Sequence, residues 1–309
     1  MCCDRKWIRS WSRSRAVIWP ILITGLVAIA QDAEGLNSED EIMLLVRSDD
    51  MGAAHAVNEA CLTTVTDGIA RSIEVIVPAP WFLEAAEMLK KHPHIDVGVH
   101  LDLTSEWSSV KWGPVSKNVP SLVDVNGHFF PMTRQRPDWP PDTGFLDSDW
   151  KIGEVERELR AQIEMALRHL PKVTHLSAHM GTATSTPQLQ MLVEHLGAEY
   201  GLATRLPNVG RAGRFGDKDD LPAEREAAMI KLIDRLKPGL WMLVEHPGLD
   251  TPEMRSIRHD GYENVAADRT AVTQVFTSKK IQEAIARRKI RLVSYADVLE
   301  MNSQPSDAK

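Results

Sequence analysis

The chain has 309 residues, enough for one large α/β domain or two small ones with a substantial core. Hydrophobic residues make up 43% of it and charged residues 26%, which is typical of a soluble globular protein. The formal net charge is -7, and the sequence contains no long block of Lys and Arg. We therefore expect no nucleic-acid partner, because phosphate binding requires a clustered basic surface.

Residues 1–30 have the pattern of a secretory signal peptide. Five basic residues come first: Arg5, Lys6, Arg9, Arg13 and Arg15. An uncharged stretch follows at 16–30 and ends in a small-x-small cleavage pattern before Gln31. The stretch is short for a membrane span, and an uncleaved N-terminal anchor is the alternative. We predict that residues 1–30 are removed and that the mature protein is periplasmic or extracellular, without stable membrane association.

Cysteine usage agrees with export. Two of the three cysteines would leave with the signal peptide, so that Cys61 alone remains. We therefore predict no internal disulfide. Cys61 shares a helical pattern with Val57 and Val65, which indicates a small buried residue rather than a nucleophile.

Beyond a polar linker at 31–41, apolar runs typical of buried strands alternate with segments of helical periodicity. The predicted strands are 42–46, 72–77, 97–103, 173–177, 202–206, 240–244 and 290–293. The predicted helices are 53–66, 81–92, 153–169, 186–200 and 222–236, with further helices within 268–288 and at 295–301. Repeated strand–helix units point to a parallel sheet. We predict an irregular, incomplete (β/α) barrel over residues 42–301, followed by a polar tail at 302–309.

Four groups of polar residues lie where predicted strands should end, and barrel folds collect function at the carboxyl ends of strands. They are Asp49 with Asp50, His100, His175 with His179, and His246. Taken singly, each group also fits a structural role, such as a helix cap or a hydrogen-bonded core histidine. Together, one carboxylate and two neutral imidazoles would hold a hydrolytic metal ion and leave a position for water. A second carboxylate and a further histidine would supply the base and the acid of amide cleavage.

These residues occur in segments that resemble four motifs of the YdjC-like (ChbG/HpnK) carbohydrate deacetylases. The segments are Arg47-Ser48-Asp49-Asp50-Met51-Gly52, Val97-Gly98-Val99-His100-Leu101-Asp102-Leu103-Thr104, His175-Leu176-Ser177-Ala178-His179 and His246-Pro247-Gly248. Residues 277–279 and 290–295 also resemble the C-terminal part of the family pattern. The motifs follow one another in the family's order, and the likeness runs from Ile42 to Leu299.

The resemblance implies an enzyme that hydrolyses the N-acetyl group of chitooligosaccharide-like sugars. It implies one divalent ion, Mg²⁺ or Zn²⁺, held by Asp50, His100 and His179. By analogy with related polysaccharide deacetylases, Asp49 would be the base and His246 the acid, and the two aspartates could exchange roles. An N-acetylated oligosaccharide would be the partner, and the sequence allows for a homodimer.

The chain also departs from the family pattern. Ser177 stands where the family has aspartate, and Met180 and Gly181 follow His179 in place of further histidines. Because such partners orient imidazoles, we expect the groups that support the metal ligands to differ here from those of the family. Two alternatives stay open: a metal-dependent amidase or esterase with the same ligands, and a sugar-binding protein with a decayed site.

An irregular segment at 105–149 is rich in Pro, Gly and Trp and lacks clear periodicity. A loop of this length is usually functional or an insertion. Four tryptophans lie in or near it: Trp107, Trp112, Trp139 and Trp150. Because aromatic faces stack on sugar rings, these residues are candidates for contact with the substrate.

Overall fold

The computed structural model of the protein describes residues 40–170 and 172–303. The predicted signal peptide, linker residues 31–39 and tail residues 304–309 lie outside the described residues. Within the described ranges, no helix combines the length and the apolar character that crossing a membrane would require.

One parallel sheet of seven strands forms the centre of the described chain. The strands are β1 (Ile42–Met51), β2 (Ser72–Val75), β3 (Asp96–Leu101), β4 (Val173–Ala178), β5 (Val209–Arg211), β6 (Gly239–Glu245) and β7 (Arg291–Val293). The helices are α1 (His55–Thr66), α2 (Phe82–Lys90), α3 (Ile152–His169), α4 (Pro187–Tyr200), α5 (Pro222–Arg235), α6 (Pro252–Ser256), α7 (Val265–Thr277), α8 (Lys279–Arg287) and α9 (Tyr295–Ser303).

The strand order β4-β3-β2-β1-β6-β5 places β1 near the middle of the sheet. Along one side of β1, β7 pairs with residues 43–45 and β2 pairs with the part that begins at Arg47. The strands at the two ends of this order, β4 and β5, do not pair with each other in the described ranges. The predicted irregular, incomplete (β/α) barrel with a parallel sheet is therefore confirmed.

One face of the sheet packs against helices. Ile73, Val75, Val97 and Val99 alternate along β2 and β3 and are buried in the main hydrophobic cluster. That cluster also contains apolar side chains of α1, α2 and α3. Side chains of a strand alternate between the two faces of a sheet. Glu74 on β2 and residue 98 on β3, which lie between these apolar residues, therefore face the opposite side.

The opposite face of the sheet is polar and equally buried. Ser72, Glu74, Asp96 and His175 lie in it, and none is more than 6% exposed. Ser72 Oγ donates to Asp96 Oδ2 at 2.6 Å. The backbone N–H of Tyr295 donates to the same oxygen at 3.0 Å and attaches the start of α9 to this face. The inside of the barrel is thus a hydrogen-bonded layer that lies below the strand ends.

The predictions for two strands need correction, and α6 was not predicted. The first strand does not stop at residue 46 but continues to Met51, so that the aspartate pair lies in it. The predicted strand at 202–206 is wrong, because that segment forms a single isolated bridge between Ala203 and His175, and β5 begins at Val209. Its leucines are buried in a connecting segment, and Pro207 lacks the N–H that a ladder would need there.

Candidate metal centre and active site

Asp49 and Asp50 lie at the end of β1, where its pairing with β2 shifts between Ser48 and Met51. Asp50 has a φ of 72°, a left-handed conformation that side-chain-bearing residues adopt rarely and aspartate tolerates better than most. In a regular strand, two neighbouring carboxylates would point to opposite faces. Here Asp49 Oδ2 and Asp50 Oδ1 each lie 3.6 Å from His100 Nε2, so the distorted strand end directs both toward one histidine.

Asp50, His100 and His179 each place one potential ligand atom within 4.8 Å of those of the other two. All three side chains are buried, and His179 Nδ1 lies 3.1 Å from Asp50 Oδ1. Two ligand atoms at about 2.0–2.2 Å from a tetrahedral zinc ion would lie about 3.4 Å apart. The measured separations of 3.1 and 3.6 Å from Asp50 Oδ1 lie on either side of this value. The donor set and its spacing therefore fit a small divalent ion.

Arg269, on α7, fixes the second oxygen of Asp50. Its Nη2 donates to Asp50 Oδ2 at 2.7 Å, and both side chains are buried. Burial alone would raise the pKa of Asp50, but the charge of Arg269, followed by those of His179 and His246, holds that pKa well below its usual range. Asp50 is thus ionised, as a metal-binding carboxylate must be. Sequence reasoning missed Arg269, which belongs to none of the recognised motifs.

Arg47 fixes Asp49 in the same manner. The guanidinium donates from Nε to Asp49 Oδ1 and from Nη2 to Asp49 Oδ2, both at 2.8 Å. A bidentate pair of this kind sets orientation as well as charge. The carboxylate is therefore held rigidly beside the three potential ligands without being one of them.

Glu106 fixes His179 and was also missed from the sequence. Its Oε2 lies 3.1 Å from His179 Nε2, on the side of the ring that faces away from Asp50. Burial would lower the pKa of His179, but the carboxylates of Glu106 and Asp50 outweigh burial and raise it well above the ordinary value. A carboxylate that bonds to the ring nitrogen not used for the metal is a usual means of orienting a metal-binding histidine. Two left-handed residues, Met180 and Gly181, turn the chain directly after His179.

His246 follows β6 directly. The last residue of β6, Glu245, pairs with Ser48 in the register of β1, so the next residues of the two strands are His246 and Asp49. The charge of His246 is among those that lower the pKa of Asp50. The predicted acid therefore lies near the aspartate pair, on the side of β1 that β6 occupies.

His175 lies outside the group of three potential ligands. Its Nε2 is 2.5 Å from Glu74 Oε1, in the buried polar face of the sheet. Its ring stacks on that of Tyr295 with the centroids 3.7 Å apart and the planes 4° from parallel. His175 thus supports the interior of the barrel and does not face the candidate centre.

Aromatic residues from two irregular segments meet beside the centre. Trp107 stacks on His259 at 5.5 Å between centroids, and Trp139 contacts the same ring edge-on at 5.2 Å. Tyr262 adjoins both Trp107 and His259. The guanidinium of Arg269 lies 5.2 Å from the centre of the Trp107 ring, which links this aromatic cluster to Asp50.

The other two tryptophans of the irregular segment have structural contacts. Trp112 is buried, and its Nε1 donates to Asp102 Oδ2 at 2.5 Å. Trp150 stacks on Phe145 at 5.5 Å. Of the four candidates, Trp107 and Trp139 are the ones in the aromatic cluster.

An incomplete parallel barrel with buried Asp, His and His side chains at the carboxyl ends of its strands defines a class of (β/α)-barrel proteins suited to hold a divalent ion. Comparison with known proteins identifies the family within that class. A family model described as YdjC-like protein matches residues 43–287. The carbohydrate deacetylase of Thermus thermophilus is 32% identical over 240 residues, which cover 70% of this chain and 81% of that protein.

A second relative, the carbohydrate deacetylase of Brevibacillus brevis, is 26% identical over 263 residues and is covered over 99% of its length. The crystal structure of an Enterococcus faecalis protein described as a cellobiose-phosphate cleavage protein has the same fold. It superposes with a TM-score of 0.66 at 21% identity, over 84% of this chain and 99% of that one. The chain therefore belongs to the YdjC-like family of carbohydrate deacetylases.

Proposed function

We propose that the protein is a metal-dependent hydrolase that removes the acetyl group from N-acetylated sugars. One observation carries the proposal: the potential ligand atoms of Asp50, His100 and His179 come within 4.8 Å of one another at the strand ends. Each of the three ligands has a polar partner on the side away from the other ligands: Arg269 for Asp50, Ser177 for His100 and Glu106 for His179. Such partners orient the ligands of a metal ion.

The three side chains would hold one divalent ion, Zn²⁺ or Mg²⁺. Such an ion polarises the acetyl carbonyl and lowers the pKa of the attacking water. Asp49 would accept the proton of that water, because its carboxylate is held in place by Arg47 and lies beside the ligands. His246 would donate a proton to the sugar nitrogen as the C–N bond breaks, since an unprotonated amine is a poor leaving group.

The substrate class rests on two further features. The relatives from Thermus thermophilus and Brevibacillus brevis are carbohydrate deacetylases. In the aromatic cluster beside Arg269, Trp107 is buried, whereas Trp139, His259 and Tyr262 are partly exposed and could contact a sugar ring. We therefore propose an N-acetylated oligosaccharide of the chitooligosaccharide type as the substrate.

Acetate release tests this function and separates it from other metal-dependent hydrolysis. The purified protein is stripped with a chelator, reconstituted with Zn²⁺ or Mg²⁺ and incubated with N-acetylglucosamine oligomers. We expect acetate release only after reconstitution. Hydrolysis of an aryl acetate ester without release from the sugars would instead support an esterase. Metal uptake and sugar binding without turnover would support a decayed, sugar-binding site.

We also propose that the protein acts outside the cytoplasm. The basic residues, uncharged stretch and cleavage pattern of residues 1–30 support export. Sequencing the N-terminus of the protein from its native cell tests this, and a mature chain that begins near Gln31 is expected. A membrane-bound chain that retains Met1 would instead support an uncleaved anchor.

Sedimentation of the mature protein would show whether it forms a homodimer.

A further inference from the structure

A chain of hydrogen bonds leads from His100 into the polar face of the sheet. His100 Nδ1 lies 2.6 Å from Ser177 Oγ, and Ser177 Oγ donates to Glu74 Oε2. His100 pairs with Ser177 across β3 and β4, and Glu74 pairs with Gly98 across β2 and β3. Three neighbouring strands therefore supply the three groups. The other ring nitrogen, Nε2, is the one that faces Asp50.

Glu74 is a buried carboxylate held by two further side chains. It has no exposed surface, and its Oε1 lies 2.5 Å from His175 Nε2 and 3.6 Å from Arg47 Nε. Burial alone would raise the pKa of Glu74, but the charges of His175 and Arg47 outweigh burial and keep it below its usual range. Glu74 is therefore ionised and can only accept hydrogen bonds.

Gly98 provides the space for this arrangement. A Cβ atom at residue 98 would lie 2.5 Å from His175 Nε2 and 2.8 Å from Glu74 Cδ. Both distances are shorter than any normal contact, so a side chain at this position would push Glu74 and His175 apart. The absence of a side chain on β3 thus allows a carboxylate from β2 to reach β4.

The direction of each hydrogen bond follows from the chemistry of the three groups. An ionised Glu74 requires the single hydroxyl proton of Ser177. Ser177 Oγ can then only accept from His100, so the proton of the neutral ring is on Nδ1. The lone pair of the ring is left on Nε2, the nitrogen directed at Asp50.

We propose that Glu74, acting through Ser177, is a positioning residue that fixes His100 in the Nδ1–H form and so presents Nε2 to the ion. This inference rests on the proposed metal centre. It also gives Ser177, which stands where the family motif has aspartate, a definite role. The carboxylate that the motif would carry on β4 is supplied here from β2 and reaches His100 through the shorter serine.

Zn²⁺ affinity tests the proposal without reference to turnover. We expect Ser177→Ala to weaken Zn²⁺ binding by about 10- to 100-fold, the usual cost of removing the partner of a metal-binding histidine. Ser177→Thr keeps the hydroxyl and should bind Zn²⁺ like the wild type. Ser72→Ala is the matched control, because it removes a buried hydroxyl from the same face that donates to Asp96 and not toward His100. Competition against a chromophoric chelator measures all four proteins.

Glu74→Gln is less decisive alone, because it leaves Arg47 and His175 with less counter-charge and can prevent folding. Nitrogen NMR of the His100 ring in metal-free protein provides the second measurement. We expect the Nδ1–H form in the wild type and a shift toward the Nε2–H form in Ser177→Ala. Ser177→Ala with unchanged Zn²⁺ affinity and an unchanged ring form would overturn the positioning role. A wild type that binds no Zn²⁺ would instead overturn the metal centre, and the ring form would still test the Glu74–Ser177 chain.

Discussion

The two sides of the candidate site are built differently. On one side, Asp50 and His100 belong to strands. Asp50 bonds to the buried Arg269, and His100 bonds to the partly buried Ser177. On the other side, Trp139 and His259 belong to segments without a regular ladder, and they contact each other through ring faces and edges. The strand side has directional, charge-assisted bonds, whereas the loop side has stacking contacts that tolerate displacement.

This difference separates two properties of the proposed enzyme. Side chains on rigid strands hold positions to the accuracy that an ion and a proton transfer require. Loops carry recognition and vary without disturbing the sheet. Substitutions on the strand side should therefore change metal binding and kcat, whereas substitutions on the loop side should change KM.

The largest effect is expected for His100→Ala. Loss of one of the three protein ligands should abolish Zn²⁺ binding and deacetylation together. Because a bound ion stabilises the folded protein, a variant that does not bind Zn²⁺ should show no rise in Tm when Zn²⁺ is added. The measurement is the rise in Tm on addition of Zn²⁺, together with acetate release. His195→Ala is the control, since His195 lies on α4 with its side chain 67% exposed. Zn²⁺ stabilisation that survives in His100→Ala would contradict the proposed ligand set.

A smaller loss is expected for Asp49→Asn. Asparagine retains the size of the side chain but is a poor base, and a positioned base typically contributes about 10²–10⁴-fold in rate. The variant should lose kcat on that scale and keep its Zn²⁺ affinity, because Asp49 is not among the three converging ligands. Asp50→Asn should lose the ion. The opposite result, with the ion lost only from Asp49→Asn, would exchange the roles of the two aspartates.

The same proton-transfer argument applies to His246→Ala, because His246 directly follows β6, the neighbour of β1 in the sheet. Its side chain is not among the ligands, so Zn²⁺ affinity should stay while kcat falls by about 10²–10⁴-fold. Metal content and acetate release, measured on the same preparation, distinguish this loss from misfolding. Full activity in His246→Ala would assign the histidine a structural role before Pro247.

Much of the strand side could be predicted from the sequence, for a physical reason. A buried parallel strand is a continuous apolar run, so polar residues such as Asp50 and His100 stand out against their neighbours. Parallel strands place their carboxyl ends at one edge, which brings residues far apart in the chain together. The motif resemblance then distinguished His179 from His175, and in the structure His175 faces Glu74 instead.

The partners behind these residues could not be predicted in the same way. Arg269 reaches Asp50 across 219 positions of the sequence, from the helix α7, most of whose residues are buried in packing contacts. Glu74 interrupts a strand and resembles an isolated polar residue until the register of β2, β3 and β4 is known. The left-handed turn at Asp50 depends on the pairing shift with β2, which no local pattern specifies.

Gly98→Ala should destabilise the strand side of the site by overpacking it. Forcing a methyl group against Glu74 and His175 is an overpacking change, which typically costs about 1–3 kcal/mol of unfolding free energy. Gly153→Ala is the matched control, because a Cβ there meets nothing within 4 Å and Gly153 lies in α3. Because Gly153 lies in the first turn of α3, alanine there should stabilise by at most the ~0.5–1 kcal/mol that holds for a helix interior. Urea denaturation measures the unfolding free energy of both variants. Equal changes in the two would mean that the barrel interior accommodates a methyl group at residue 98, which would contradict the distances above.

The smallest effect, and the one that tests the loop side, is expected for Trp139→Ala. Trp139 stands at the edge of the aromatic cluster, only partly buried, and its Nε1 has no acceptor among the described residues. If a sugar ring stacks on Trp139, the substitution should remove about 0.5–1.5 kcal/mol of substrate binding free energy. This corresponds to a rise in KM of about 2- to 12-fold, with kcat and Zn²⁺ affinity unchanged. The Nε1 atom is buried, so Trp139→Phe, which keeps a smaller aromatic face, should give a KM between those of the wild type and Trp139→Ala if stacking is the contact. Val125→Ala, at a fully exposed position of the same segment, should leave KM unaltered. A fall in kcat at constant KM would show instead that the loop side positions the reacting groups, and the division of roles between the two sides would be wrong.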